Sequence, residues 1–556
     1  MRKLLNFTMN MAELRLDPAS LGRTTMTILR TGALALATLF ATLGMVAPAL
    51  AQKQGGTLRI YHRDSPPSAS IHEEATVSTN LPFMAVYNNL AIYDQTKPIN
   101  SVETIVPDLA ESWSWDATNT KLTFKLRQGV KWHDGQAFTS KDVKCTIDKL
   151  TGKDKDSFRK NPRAIWYQNV QDVTLNGDHE ATFVLGRPQP ALLAMLASGY
   201  SPIYPCHVSS RDMRVKPVGT GPFKFAEFKA NESIRLVRNT EYFKPGKPHV
   251  DAIEMRIIPN RSTRILAFQA GDFDMTFSQD ITIPLLKDMK SQSPNAICSV
   301  TPQYVHRNLM VNREVAPFND PKLRLALALS LDRQPFIDIL TEGRGDIGGT
   351  MLPLPEGQWG MPPEELAKMS GYKDVEKNRA EARKIMEGLG YTAANPLKVK
   401  MSTRNIAIYR DPAVLLIDQL KQIHVDAELD VVDTTIWHAK AARKDYTLGM
   451  NLTGMSVDDP DAVFYENYAC KSERNYTQYC NPDVDKMIDE QSQERDVEKR
   501  KRMVWAIEQK LNDDLARPVI YHPRDATCWH PHVKGFVQHQ NSIYSNWRLE
   551  DVWLEK

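Results

Sequence analysis

Two charged residues stand where a folded chain gathers ligands. Arg404 follows the apolar-alternating stretch LKVKMS, read as a strand over Leu397 to Ser402, and Asp458 follows YTLGMNL, read as a strand over Tyr446 to Leu452. In an open parallel sheet, loops and helix N-termini converge beyond the carboxyl ends of the strands, so a cation and an anion placed there face one crevice. Together they suit a ligand with a carboxylate and an ammonium some distance apart. At an effective dielectric of 20, each such contact at about 4 Å gains on the order of 4 kcal/mol before desolvation is subtracted. The plainer reading makes both residues exposed loop charges, or a structural pair with each other. Asp459 is adjacent and is the alternative ligand-facing acid. Trp437, near the start of a helix in the same region, either walls the pocket or packs in the core. Thr79, ahead of VYNNL, is a candidate for the opposing wall or an ordinary capping hydroxyl.

The elements that must hold these residues fall into two grammars. From Gly56 to Leu185 the text alternates at period two, with Leu122, Phe124 and Leu126 on one face and Lys121, Thr123, Lys125 and Arg127 on the other. Thr139-Ser140-Lys141-Asp142 places a capping hydroxyl three residues before a carboxylate, a helix start. Asn176-Gly177 marks a hairpin between Val170 to Leu175 and Ala181 to Leu185. Strands continue through Gly221 to Arg238 and Ala252 to Ile258, followed by a helix at Ser262 to Ala270. Beyond Asn308 the pattern changes. Asp320-Pro321 reads as an N-cap with proline at the first helical position. A helix at Lys377 to Leu389, a strand at Leu397 to Ser402, a helix at Pro412 to Ile423 and a strand at Ala427 to Val432 then make the strand–helix–strand unit of a parallel sheet. Helices follow at Ile436 to Lys444, Pro482 to Gln493 and Val497 to Leu515.

Cysteine usage points to local stapling. Cys470 and Cys480 are close enough to pair in an oxidising compartment, around a polar loop, Lys471 to Tyr479, expected at the surface. Cys145, Cys206, Cys298 and Cys528 are scattered and read as unpaired, buried small apolar groups. His530 and His532 alternate near Cys528 and suit a transition metal by ligand type, but their spacing is imperfect, and a half-exposed strand in the returning segment accounts for them better. No metal or cofactor is therefore expected. An exported hydrolase is disfavoured as well: HEEAT at His72 lacks the second histidine of a zinc helix, and neither G-x-S-x-G nor a phosphate loop occurs.

Length and charge set the outer limits. The chain has 556 residues, 42% hydrophobic and 25% charged, enough to bury cores in more than one domain. An apolar run from Gly32 to Val46, preceded by Arg30 and followed by Pro48-Ala49-Leu50-Ala51, reads as a secretory leader cleaved after Ala51. Met26 opens a leader of ordinary length and is an alternative start. The run is shorter than the roughly 20 residues that span a bilayer, and no cysteine follows the cleavage point to carry a lipid, so a soluble exported protein is expected. Removing residues 1–51 takes away five Lys+Arg and two Asp+Glu and leaves 65 of each, a neutral chain without the positive stripe that nucleic acid requires.

Four stretches carry a family resemblance: VPDLAESWSWDATNTKLTFKLRQGVKWHDGQAFTSKDV (Val106 to Val143), GTGPFKFAEF (Gly219 to Phe228), NDPKLRLALALSLDR (Asn319 to Arg333) and HVKGF (His532 to Phe536). In that order they resemble the extracytoplasmic solute-binding proteins of ABC importers, in the family of dipeptide, oligopeptide and nickel receptors. The resemblance implies an α/β protein of two lobes joined by a two-stranded hinge, with an extra subdomain enlarging the first lobe. The expected organisation is a leader over 1–51, a first lobe over 52–278, a second over 279–518 and a segment, 519–556, returning to the first. It implies a monomeric periplasmic receptor that does no chemistry and hands its solute to a membrane permease with a cytoplasmic ATPase. In dipeptide receptors of this family an Arg after the corresponding strand holds the peptide carboxylate, and an Asp in a Trp-x-x-Asp stretch holds the ammonium. MSTR places Arg404 at the first position and MSVD places Asp458 at the second. Met455 replaces the motif's Trp and the stretch before Asp-Pro is shorter, which keeps Asp459 in contention. It also leaves open an opine, aromatic acid, sugar conjugate or metal chelate instead of a dipeptide, short peptide or amino-acid conjugate.

Overall fold

The computed structural model describes residues 52–539 and 544–555, so the leader lies outside the described residues. The described residues from Lys53 onward form one compact unit, built around two sheets. In the first, the strand Thr57–His62 runs parallel to Ala252–Ile257, which continues antiparallel to Ser233–Arg238 and Phe223–Lys229. Met275 bridges Ile60 to Trp529, which joins this sheet to Arg524–Trp529 and its antiparallel neighbours Ile281–Thr282 and Ile297–Pro302. The second sheet has the order Val425–Val432, Leu397–Arg404, Leu448–Gly454, Val305–Val311, Val519–Tyr521. Its first three strands and Val519–Tyr521 run the same way, and Val305–Val311, between Leu448–Gly454 and Val519–Tyr521, runs against them.

The chain passes between the sheets twice, side by side. Ile297–Pro302 leads through Gln303 and Tyr304 into Val305–Val311, and Val519–Tyr521 leads through His522 and Pro523 back into Arg524–Trp529. The backbone N–H of Gln303 donates to the Pro523 carbonyl at 2.9 Å and ties the crossings together. This is the two-stranded hinge of a two-lobed binding fold. After the second crossing the chain stays with the first half: Trp553–Leu554 pairs with Val533–Lys534, and Arg548 meets Asp108 at 2.9 Å with both side chains fully buried.

A third, antiparallel sheet forms the extra subdomain, in the order Ala110–Trp115, Lys121–Leu126, Glu180–Leu185, Val170–Leu175. Leu122, Phe124 and Leu126 point inward from their strand, and the helix Ser140–Thr151 packs on this sheet, its start held by the Thr139/Asp142 capping box. The Asp320 side chain caps Pro321–Leu329 by accepting from the Lys322 N–H.

Three expectations change. The helix after the Arg404 strand spans Ala407–Lys421, with Pro412 inside it rather than at its start. Proline lacks only the one N–H that would bond four residues back, and neighbouring turns carry the helix past it. Cys145, Cys206, Cys298 and Cys528 are not unpaired: Cys145 bonds Cys206 across 61 residues, and Cys298 bonds Cys528 across 230. The second pair sits directly opposite on neighbouring antiparallel strands, a placement that only the tertiary fold creates. Cys470 and Cys480 do pair, but their loop is not a surface loop, since Arg474, Asn475, Tyr476, Thr477 and Tyr479 are all buried.

Between Leu448–Gly454 and Val519–Tyr521 the chain makes a long excursion. Its residues Val457, Ala462, Phe464, Ile488 and Val504 join the hydrophobic core that contains Leu58, Phe83 and Tyr200 of the first half. The second sheet and its helices keep a separate core, including Leu309, Met401, Leu416 and Leu448. Burial of the excursion against the first half holds the two halves in contact.

Candidate functional site

Arg404 is the last residue of its parallel strand, opposite Val432, and is 1% exposed. Its guanidinium donates from Nη1 to the Tyr409 hydroxyl at 2.8 Å and from Nη2 to Thr434 Oγ1 at 2.9 Å. Both partners begin helices at the same end of the sheet, where the switch from strand to helix makes a crevice. From Nη2 it also donates to Asp64 Oδ2 at 2.8 Å, 340 residues away in sequence and in the first half. Asp64 lies just past the carboxyl end of Thr57–His62. Its other oxygen accepts from Ser78 Oγ at 2.6 Å and has Arg63 Nε at 3.7 Å. Burial opposes the Asp64 charge, but Arg404 and Arg63 outweigh it and hold the carboxyl below the usual carboxylate range. Burial likewise opposes the charge on Arg404, and Tyr409 and Asp64 more than offset it.

A second contact between the halves lies nearby. Glu466, on the excursion, has Arg163 Nε of the first half at 3.3 Å and Arg474 Nε of the stapled loop at 2.5 Å. Arg474 Nη1 also donates to the Ala75 carbonyl at 3.1 Å, and Arg163 lies 3.5 Å above the Tyr200 ring. The Cys470–Cys480 bond thus closes the loop that presents Arg474. Gly454 ends the central strand here because a side chain would collide with Tyr544 of the returning segment, whose hydroxyl would be 2.2 Å from a Cβ at that position. Between the halves a cleft of about 320 Å³ runs along Glu74, Arg159, His438, Arg443, Glu473 and Arg474.

The other sequence-derived residues separate. Asp458 is half-buried, and its carbonyl accepts from Trp359 Nε1 at 3.1 Å. Its carboxyl is pushed up to about 7 by burial and by Asp459, against a hydrogen bond from Tyr304. Asp459 caps the helix Pro460–Asn467 through the Asp461 N–H at 2.9 Å and is bound by Arg500 at 2.7 and 2.9 Å. Trp437 is fully buried in a small core with Met310, Val432 and Tyr446, its indole N–H without a hydrogen-bond partner among the described residues. Thr79 is buried and donates to the Ser68 carbonyl at 3.3 Å, one residue after the Ser78 that holds Asp64. Cys528 is in its disulfide, His530 Nε2 is 3.0 Å from the Phe268 carbonyl and His532 Nε2 is 2.8 Å from Asp274.

The structure brings forward Asp64, Arg163, Glu466 and Arg474, none of which was singled out in the sequence. Asp64 had a signal: it follows a strand carboxyl end by the same rule that selects Arg404. The others sit on an excursion and a loop whose packing has no period.

A two-lobed α/β fold, hinged by two strands and with charged side chains meeting where the lobes face, defines a solute-binding protein. Residues 104–475 match the model of bacterial extracellular solute-binding proteins, family 5. The chain belongs to that family. It is 26% identical over 517 residues to a probable di/tripeptide-binding protein 5 of Pseudomonas aeruginosa, covering 86% of this chain and 93% of that protein. The oligopeptide-binding protein OppA of Haemophilus influenzae, solved in complex with RPPGFSPFR, superposes with a TM-score of 0.80 at 21% identity, over 91% of this chain and all of that one. AgaA of A. tumefaciens, solved with agropinic acid, superposes with a TM-score of 0.77 at 21% identity, over 90% and 99% of the two chains.

Proposed function

We propose that this protein is the periplasmic receptor of an ABC importer. It captures a small solute between its lobes, a dipeptide, short peptide or other amino-acid conjugate, and delivers it to a membrane permease powered by a cytoplasmic ATPase. The leader ending at Ala51 exports it, and it works as a soluble monomer without a lipid anchor. No helix of the described residues is long and apolar enough to cross a membrane. We place the lobe boundaries at the two strand crossings, Gln303–Tyr304 and His522–Pro523, so that 523–555 belongs with the first lobe.

The carrying observation is Arg404, buried at the carboxyl end of a parallel strand and reaching across to Asp64 of the opposite half. A receptor closes on its solute only if the solute binds the closed state better than the open one, which requires contact with both lobes. A solute carboxylate entering here bonds Arg404 and competes with Asp64. Asp458, half-exposed and with no arginine in salt-bridge contact among the described residues, serves as the acceptor for an ammonium. Asp459 is given to Arg500, and we assign it to holding the helix start. Thr79 supports the first-lobe wall through its backbone neighbour Ser78, and Trp437 backs the second-lobe wall. Native mass spectrometry of gently purified protein identifies the carried solute, and calorimetry with it on Arg404→Ala and Asp458→Ala tests the clamp. The expected loss for Arg404→Ala is on the order of 100-fold, about 3 kcal/mol. Unchanged affinity in both variants removes the clamp.

A further inference from the structure

Two buried charge groups between the halves hold more arginine than carboxylate. Part-exposed pairs also cross, such as Arg261 with Asp411 at 3.5 Å, but the buried carboxylates Asp64 and Glu466 are each shared by two arginines: Asp64 by Arg63 at 3.7 Å and Arg404 at 2.8 Å, Glu466 by Arg163 at 3.3 Å and Arg474 at 2.5 Å. All four guanidiniums are withdrawn from water, at 5%, 1%, 2% and 5% exposure in that order. A guanidinium stays ionised in a protein, so these two groups together hold two positive charges more than negative ones. His438 registers the imbalance: burial and then Arg404, Arg474 and Arg163 all press its pKa down. Two nitrogens of the same region, Trp437 Nε1 and His438 Nε2, are buried without hydrogen-bond partners among the described residues, and an indole N–H can only donate.

Deepening the receptor reading, on which it rests, we infer that the solute is a small polar acid carrying two anionic groups. One group is received at the Asp64 pair of arginines and the other at the Glu466 pair. A zwitterionic dipeptide brings one carboxylate and one ammonium and leaves the excess as it was. A diacid cancels it and supplies acceptor oxygens to the unpartnered donors. Because Asp64 and Glu466 occupy the arginines before the solute arrives, they act as internal competitors, which tunes affinity and favours a ligand that engages both pairs together.

The test is calorimetry and thermal shift on the mature chain, stripped of carried solute, with four probes of similar size: L-alanyl-L-alanine, L-alanyl-L-lysine, L-alanyl-L-glutamate and N-acetyl-L-glutamate. Expected is binding of the two probes with paired carboxylates, at least about tenfold tighter than L-alanyl-L-alanine and weakening as salt rises. L-Alanyl-L-alanine or L-alanyl-L-lysine binding as tightly overturns the acidic-solute inference and leaves the receptor reading standing. No binding of any probe, together with a neutral or cationic solute found on the native protein, overturns it in the same way. No binding of any probe and no carried solute brings down both. In Glu466→Gln the affinity for N-acetyl-L-glutamate rises if Glu466 is a competitor, and a fall would assign it to the ligand and overturn the inference. Should that variant misfold, the wild-type probe series decides alone.

Discussion

Two sets of buried arginine and carboxylate side chains, one around Arg500 and one between the lobes, are built in opposite ways. Around Arg500 the acids are in excess: Asp459 is held at 2.7 and 2.9 Å and Asp461 at 3.1 Å. Asp461 also accepts from Gln491 at 2.6 Å, Ser492 at 2.5 Å and Gln189 at 3.2 Å. Every carboxylate oxygen there is engaged, mostly by groups of one excursion, and the cluster pins a helix start. Between the lobes the arginines are in excess, the partners come from opposite halves, and neighbouring donors are unmet. A saturated cluster fixes structure. An unsaturated one that straddles a hinge waits for something to complete it.

The largest effect is expected on the saturated side. Arg500→Met leaves Asp459 and Asp461 buried without their cation, and should cost about 3–5 kcal/mol of stability, read in urea melts. The solute affinity of the molecules that remain folded should be unchanged. A loss below 1 kcal/mol would erase the distinction.

Next comes the staple between the clusters. In the chain-entropy model, Cys470→Ser with Cys480→Ser frees a loop ten residues in span and costs about 3 kcal/mol. Because the loop carries Arg474, solute affinity should fall as well. That double readout separates it from Arg500→Met, which moves stability alone.

How much of this contrast was legible beforehand follows from distance along the chain. The Thr139/Asp142 capping box, the Asn176-Gly177 hairpin and the Asp320-Pro321 start were legible because each is settled within a few residues. Arg404 was legible because strand ends in a parallel sheet have a fixed meaning. Its partner was not, since nothing in 340 intervening residues relates Asp64 to it. The Cys298–Cys528 bond, across 230 residues, escaped for the same reason. Pro412 misled because proline is a start signal at one position and a tolerated interruption at another. The buried stapled loop misled because its polar residues, Arg474, Asn475 and Thr477, are spent inside, where composition suggests solvent.

On the unsaturated side the effect on stability should be smaller. Arg404→Met removes one of two arginines from Asp64, which keeps Arg63 at 3.7 Å and Ser78 Oγ at 2.6 Å. Removing an excess charge offsets part of the lost pairing, so a cost of about 1–2 kcal/mol is expected. Small-angle scattering should show the ligand-free variant more open than the parent, since a contact between lobes is gone. A cost equal to that of Arg500→Met would mean that the interlobe cluster is structural too.

Asp458 belongs to neither cluster, and it gives the finest test. Its carboxyl is raised to about 7, chiefly by burial, so between pH 4 and 7 the folded state holds a proton that the unfolded chain has released. Its contribution therefore turns against folding as pH rises through that window, and is absent below it, where both states are protonated. Asn cannot ionise, so Asp458→Asn should match the parent near pH 4 and exceed it at pH 8. The side chain is partly open to solvent, so the gain is set at about 1–2 kcal/mol, below what the full shift would imply. If Asp458 receives a solute cation, the same variant should lose affinity more at pH 8 than at pH 6, because only the ionised parent attracts it. If stability rises at pH 8 while affinity is untouched at both pH values, Asp458 is a buried cost of the motif, and recognition rests on the arginines alone.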